Sequence, residues 1–270
     1  MKRSYLVSIA VAALAIVGNP IISQAADVPV TTTNKWESSV AAGATLTRGN
    51  SKTFLGTLSL GTGKKWDQNE LAFGADAAYG TTEDTQRTVD NTDPANPIVT
   101  KKDVTTTTAQ SVRAFGQYNR LFTERFYGYA RLEGLHDEVA DITYRLSLSP
   151  GVGYYFFKSK PTELSAEVGP GYIYQKLGHD TDSYATLRLA EKFKQELSDR
   201  ARMWQSVEFL PQVDKFKNYI LNFELGVEAD LSANKKFALR VYLDDTYNNV
   251  PAAGRKDNDL KLVAALACKF

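Results

Sequence analysis

Cysteine is almost absent. Cys268 is the only one in 270 residues, which excludes an intramolecular disulfide framework and any cysteine-based metal site. An excess of one charge is missing too: 32 lysines and arginines stand against 31 aspartates and glutamates. That balance leaves no basic field to hold a nucleic acid. Histidine is scarce, so a catalytic imidazole could only be His136 or His179. Long apolar runs are lacking beyond the N-terminus, and no later stretch approaches the ~20 residues a spanning helix needs.

The one apolar run has the marks of an export signal. Lys2 and Arg3 precede Leu6 to Val17, which only Ser8 interrupts, and a Gly18-Asn19-Pro20 break follows. Ser23-Gln24-Ala25 then offers small residues at the −3 and −1 positions for cleavage. The run is too short for a membrane anchor, and the absence of a cysteine after it argues against a lipoprotein. The expected organisation is a signal peptide over 1–25, a short segment over 26–34 and one domain over 35–270. For an exported chain without spanning helices, the remaining classes are a soluble exported protein and a transmembrane β-barrel.

Period two dominates after residue 35. Trp36, Ser38, Val40, Ala42, Ala44 and Leu46 alternate with Glu37, Ser39, Ala41, Gly43 and Thr45. The same contrast recurs around Leu71–Tyr79, Val112–Tyr118, Phe126–Leu132, Leu146–Phe156, Leu164–Tyr174, Tyr219–Leu231, Phe237–Leu243 and Leu260–Phe270. Two segments are weaker: Ala185–Phe193 carries Glu191 on its apolar face, and Met203–Phe209 carries Gln205 there. With the segment around Phe54–Leu60, the total is about twelve strands, or ten or fourteen if the weak ones are misread. Pro150 and Pro170 lie within strands beside Gly151, Gly153, Gly169 and Gly171. Proline cannot donate to a ladder, so bulges are expected where the wall bends.

An even strand number puts both termini on one side and calls for short turns at that end. The connections 63–68, 119–125, 158–161, 197–200 and 232–235 are short, whereas 81–105, 137–142, 178–182 and 246–259 form the other set. Arg48-Gly49-Asn50 is the one tight turn among the latter. Aromatics fall in two bands, with Trp36, Tyr118, Phe126, Tyr154, Phe156, Phe193, Phe237 and Phe270 at one end. Tyr79, Tyr172, Tyr174 and Tyr219 lie at the other, as a bilayer demands of a barrel. A soluble β-sandwich is the alternative, but it needs no two-ended aromatic distribution. The expected fold is therefore an all-β, closed antiparallel transmembrane barrel in the cell outer membrane.

Three stretches carry a family resemblance. They are Thr45 to Thr53 with its Gly49-Asn50-Ser51 turn, Arg145 to Tyr154 with Pro150-Gly151-Val152-Gly153-Tyr154, and the terminus Cys268-Lys269-Phe270. Together they resemble the salt-induced outer membrane proteins, a family built on a domain of unknown function, over essentially the whole chain from Lys35. A terminal Phe270 with Leu262 and Leu266 at alternate positions looks like the signal read by the barrel-insertion machinery. The resemblance implies no agreed activity, cofactor or catalytic residue. Its name implies a link to salt or osmotic stress.

Function should lie on the inward register. The lumen-lining candidates are Arg113, Arg131, Glu133, Arg145, Glu163, Glu167 and Arg240, with Glu208, Glu224, Glu228 and Asp244 across the barrel. One reading is an arginine track that guides small charged solutes, using bidentate carboxylate or phosphate contacts. The other is a mixed-charge lumen whose groups pair and fill it, since unpaired interior charge is costly. A lipid hydrolase or acyltransferase would draw on His179 with Asp180, Asp182 and Ser183, though no nucleophile motif surrounds that serine. A structural or adhesive barrel is a further reading. The acidic loops at Asp90 to Asp93, Asp180 to Asp182 and Asp257 to Asp259 match no EF-hand spacing. No catalytic residue, metal or cofactor is assigned. The expected partners are outer-membrane lipids, lipopolysaccharide and the insertion machinery.

Overall fold

The computed structural model describes residues 34–47, 51–90 and 98–270. The expected signal peptide, the Arg48-Gly49-Asn50 turn and most of the Asp90 to Asp93 loop lie outside the described residues. Twelve strands follow in order: β1 (Trp36–Thr47), β2 (Ser51–Trp66), β3 (Asn69–Asp90), β4 (Ile98–Leu121), β5 (Phe126–Asp137) and β6 (Ile142–Ser159). The second half has β7 (Thr162–Leu177), β8 (Asp180–Glu196), β9 (Ala201–Pro211), β10 (Tyr219–Asp230), β11 (Phe237–Asn248) and β12 (Asn258–Lys269). Each pairs antiparallel with its sequence neighbours, and β1 pairs with β12 to close the barrel. Both weak segments are true strands.

Closure decides why alternation builds this fold. In a closed ladder every backbone donor and acceptor meets a neighbouring strand, so no polar edge faces hydrocarbon. The alternating side chains then sort by solvent, and here the sorting is inverted relative to a water-soluble domain. Leu58, Leu60, Val112, Leu132, Leu148, Val227 and Leu262 stand exposed on the outer wall. Arg131, Glu167, Arg188, Glu208 and Arg240 are buried inside. Trp36, Tyr118, Phe126, Tyr154 and Phe237 are exposed at the end carrying both termini, here called the inner end. Tyr79, Tyr172 and Tyr174 form the band at the outer end. Among the described residues no helix is long and apolar enough to cross a membrane; the crossing is made by strands.

Four local expectations are corrected. Residues 81–90 and 98–105 are strand and not loop: β3 and β4 stay paired from Thr81↔Thr107 to Asp90↔Ile98, with β2 alongside as far as Asp84 and a two-stranded ribbon beyond it. Threonine-rich sequence there suits an extended ribbon, since β-branched side chains favour the strand region. The prolines sit at no bulge. The β6–β7 register is the same on both sides of Pro150 and Pro170, and the irregularities fall between Ile142 and Tyr144 and between Tyr155 and Phe157. Glycine serves close approach instead, because a Cβ on Gly169 would lie 2.1 Å from the Pro150 carbonyl oxygen. Phe193 shares the outward register but is buried, with 6% of its surface exposed. Finally, the outer turn between β7 and β8 is only Gly178-His179, which Gly178 allows by taking φ 59°.

Candidate functional site

The interior is filled unevenly, and side-chain size around the wall explains why. Strands β4 to β9 send large charged and aromatic residues inward. Glu167 on β7 is the centre of this packed half. Its carboxylate accepts from Gln117 and Tyr127, both at 2.9 Å, from Arg188 at 2.7 Å and from Lys192 at 2.5 Å. Arg188 also donates to Glu208 at 2.6 Å, and Asn222 completes that carboxylate at 3.0 Å. Arg131 donates to Glu133 at 2.7 Å and lies 4.0 Å over the Phe115 ring. Tyr129 and Tyr127 lie against Gly151 and Gly153, where an added Cβ would come within 2.7 and 2.3 Å of the rings. The glycines of the Pro-Gly-x-Gly-Tyr strand thus make room for luminal tyrosines.

Strands β1, β2, β3 and β12 do the opposite. Their inward positions include Ser39, Ala41, Ser59, Gly61, Gly74, Ala265 and Ala267, with charged Lys65, Glu70, Asp76, Lys261 and Lys269 toward the two ends. Small residues leave space, and an open compartment with a cavity volume of about 150 Å³ lies against this wall at the outer side. Ala41, Thr57, Asp76, Arg113, Arg145, Trp204, Arg240, Tyr242 and Asp244 are among its lining residues. A vestibule of about 840 Å³ opens at the inner end, lined by Lys65, Glu70, Lys158, Glu163, Lys235 and Lys269 among others. Lys194 on β8 and Arg202 on β9 line both compartments, and no other residue does. They mark the boundary between the two, here called the neck.

The groups around the neck are held by ion pairs. Glu228 meets Arg202 at 2.7 Å and Lys269 at 2.5 Å, and also pairs with Arg240. Asp230 binds the same Arg202 at 2.8 Å and the same Lys269 at 2.6 Å. Lower in the vestibule, Glu70 accepts from Tyr155 at 2.7 Å and from Asn119 at 3.1 Å, with Lys65 and Lys158 each 3.5 Å away. Just outward of Arg202, Trp204 donates to Glu224 and lies over Gly226, with the Tyr242 ring 6.3 Å away. Glu228, Asp230 and Glu70 are thus each held by at least two cations.

The expected lumen residues separate into groups. Arg113 and Arg145 face the outer compartment, and Arg113 lies 3.8 Å from Glu133. Arg240 also lines it while holding Glu228. Arg131, Glu133 and Glu167 belong to the packed half, and Glu163 lines the inner vestibule. Arg113, Arg131 and Arg145 together line one small internal cavity, and of the three Arg113 and Arg145 also line the outer compartment. Sequence reasoning missed Arg188, Lys192, Lys194, Arg202 and Trp204. The signal was present: in β8 these cations share the parity of Thr186 and Ala190, opposite to Leu187, Leu189 and Glu191. Glu191 on the apolar face drew attention away from the inward face of the same strand.

Leu262, Leu266 and Phe270 are exposed on the outer wall at 66, 63 and 72%. Phe270 also closes the seam, because its backbone exchanges hydrogen bonds with Ser38 at 3.0 and 2.9 Å. At the outer turn, His179 makes no hydrogen bond to Ser183, whose amide instead donates to Asp182 at 2.8 Å. His136 Nδ1 pairs with the Thr143 carbonyl at 2.9 Å. Neither histidine meets a hydroxyl nucleophile. Among the described residues no cluster of histidine, cysteine and carboxylate side chains could hold a metal ion.

Fold and interior together define a transmembrane β-barrel with an ion-paired, partly open lumen. Residues 40–270 match the family described as a protein of unknown function, DUF481, and the chain belongs to that family. No curated protein matches it. Among solved structures it is similar to the COG4313 outer membrane channel from Pseudomonas putida F1, with 10% identity, 92% of this chain and 100% of that chain covered, and a TM-score of 0.49. The NanC porin matches at 6% identity over 86% of this chain and 98% of that one, with a TM-score of 0.48. The translocator domain of the autotransporter NalP from Neisseria meningitidis matches at 13% identity over 87% of each chain, with a TM-score of 0.44.

Proposed function

We propose that the protein is a narrow solute channel of the cell outer membrane. The observation that carries this reading is the continuous lining. One open compartment faces the outer end, another faces the inner end, and Lys194 and Arg202 belong to both. Small residues on β1–β3 and β12 keep the route clear, while the packed half supports the wall against collapse. A barrel filled only for stability would have no reason to place alanine, serine and glycine together along one side of its lumen. Its lipid-facing belt suits the bilayer, with lipopolysaccharide around the outer band, and the Phe270 terminus suits recognition by the insertion machinery.

The test is conductance. Refolded protein, shown to be folded by its heat-modifiable migration, should give uniform single-channel steps in a planar bilayer. Trimming the neck by Arg202→Ala should enlarge the step, because the removed guanidinium borders both compartments. A folded barrel that stays silent, with and without that substitution, would sink the channel reading and favour a structural role.

A further inference from the structure

The two residues that bound the neck are both cations, and the charges around them do not cancel. Arg202, Arg240 and Lys269 share only two carboxylates, Glu228 and Asp230. Lys194 stands directly opposite Glu163 in the β7–β8 ladder, and forms no ion pair within 4.0 Å. Glu163 is across from Lys158 on the β6 side, and Lys158 and Lys65 each lie 3.5 Å from Glu70, so Lys194, Lys158 and Lys65 face two carboxylates, Glu163 and Glu70. Each side of the neck therefore holds one more cation than anions. The wall of the outer compartment, by contrast, carries acidic and basic residues in balance. The narrowest point is where a permeating ion loses most of its water and where a fixed charge is least screened. Selectivity is set there rather than at the mouths.

We propose that the neck is an anion-binding site, and that the channel passes small anions such as carboxylates, inorganic phosphate or chloride in preference to cations. This rests on the channel reading above. Arg202 is a scaffold charge, fixed by Glu228 and Asp230 and unable to follow a solute. Lys194 is the mobile one. It is an ammonium on a flexible stem, with three donors and no salt bridge within 4.0 Å among the described residues, so it can swing from its cross-strand neighbour Glu163 toward an anion from either compartment. Unlike the guanidinium of Arg131, buried over Phe115, it needs no rearrangement of packed neighbours to do so.

The experiment is a reversal-potential measurement on the folded barrel in a potassium chloride gradient, for the native chain, Lys194→Gln and Lys194→Glu. The native chain should favour chloride over potassium severalfold, Lys194→Gln should lose most of that preference, and Lys194→Glu should reverse its sign. Inorganic phosphate added to one side should reduce the chloride current of the native chain and leave that of Lys194→Gln unchanged. Cation selectivity in the native chain overturns the proposal while leaving the channel intact. So does an anion preference untouched in both Lys194 variants. A native barrel that is folded but silent overturns the channel reading itself, and this proposal with it. If Lys194→Glu fails to fold, the neutral Lys194→Gln decides alone.

Discussion

Glu167→Gln is the sharpest test of whether the ion-paired half of the lumen stabilises the barrel. The substitution keeps volume and shape, so no cavity enters the result. It removes one charge from between Arg188 at 2.7 Å and Lys192 at 2.5 Å, at a side chain with 0% exposure. Arg188 retains Glu208 at 2.6 Å, but Lys192 loses its only ion pair. The new amide would also point a donor at groups that already donate. Breaking one side of a buried pair typically costs about 3–5 kcal/mol, so we take roughly 3 kcal/mol, because the network is shared. The assay is equilibrium urea unfolding of the vesicle-inserted barrel, followed by tryptophan fluorescence. With a slope near 3 kcal/mol per molar, the midpoint should fall by about 1 M. Lys52→Ala is the control: its pair with Glu83 at 2.5 Å is exposed on the lysine side, and such pairs contribute under about 1 kcal/mol. Adding Lys192→Met to Glu167→Gln should recover a large part of the loss, as coupled neighbours do. A Glu167→Gln midpoint no lower than that of the control would refute the reasoning.

Three further outcomes follow from the geometry. Gly169→Ala should lower folded yield sharply on heat-modifiability gels, because its Cβ would meet the Pro150 carbonyl oxygen at 2.1 Å and the Gly151 Cα at 2.6 Å, both backbone; normal yield would show that the strands can separate there. Deleting residues 86–102 and rejoining the ribbon with a short turn should leave the urea midpoint within about 0.5 kcal/mol of native, since that part of β3 and β4 pairs only with itself. Removing Phe270 should slow assembly into vesicles more than it lowers final stability; it deletes the two backbone bonds to Ser38 at a seam of five register pairs, and unchanged assembly kinetics would count against a role for the terminus in closure.

Strand number, inversion of polarity and the two aromatic bands were legible because each depends on local alternation alone. Leu262 and Leu266 face outward for the same reason that Arg131 and Glu167 face inward: the period is two, and closure leaves only two faces. The ribbon beyond the rim was misread as a loop because threonine and charge in 81–105 lack the apolar face that marks a strand in the membrane. Outside the bilayer a paired ribbon needs no such face. The glycines beside Pro150 and Pro170 suggested bulges, since sequence shows that a ladder donor is missing but not which aromatic ring or carbonyl stands opposite. Tyr129 over Gly151 and the Pro150 oxygen against Gly169 are contacts between strands, invisible to a reading along one strand.

The neck was out of reach for a different reason. Inward parity identifies Lys194 and Arg202 as luminal, yet parity says nothing of height, and height follows from the stagger of the strands around the barrel. Once the register Lys194↔Trp204 and Glu196↔Arg202 is known, the two cations stand on neighbouring strands two register positions apart, and both line the two compartments. Residue size carries the rest. Inward Gly61 and Gly74 are paired with each other, as are inward Ala41 and Ala267, so the smallest side chains collect on one arc of the wall. The opposite arc holds Arg131, Glu167, Arg188 and Lys192. A route through such a barrel must run off-centre, along the arc of small residues, and the charges that meet a solute are those that reach across the lumen toward that arc. Lys194 and Arg202 reach toward it from β8 and β9, whereas Arg131 on β5 is packed behind Gln117 and Phe115. Volume around the circumference, summed strand by strand on the inward parity, therefore points to the side a pore takes before any charge is considered.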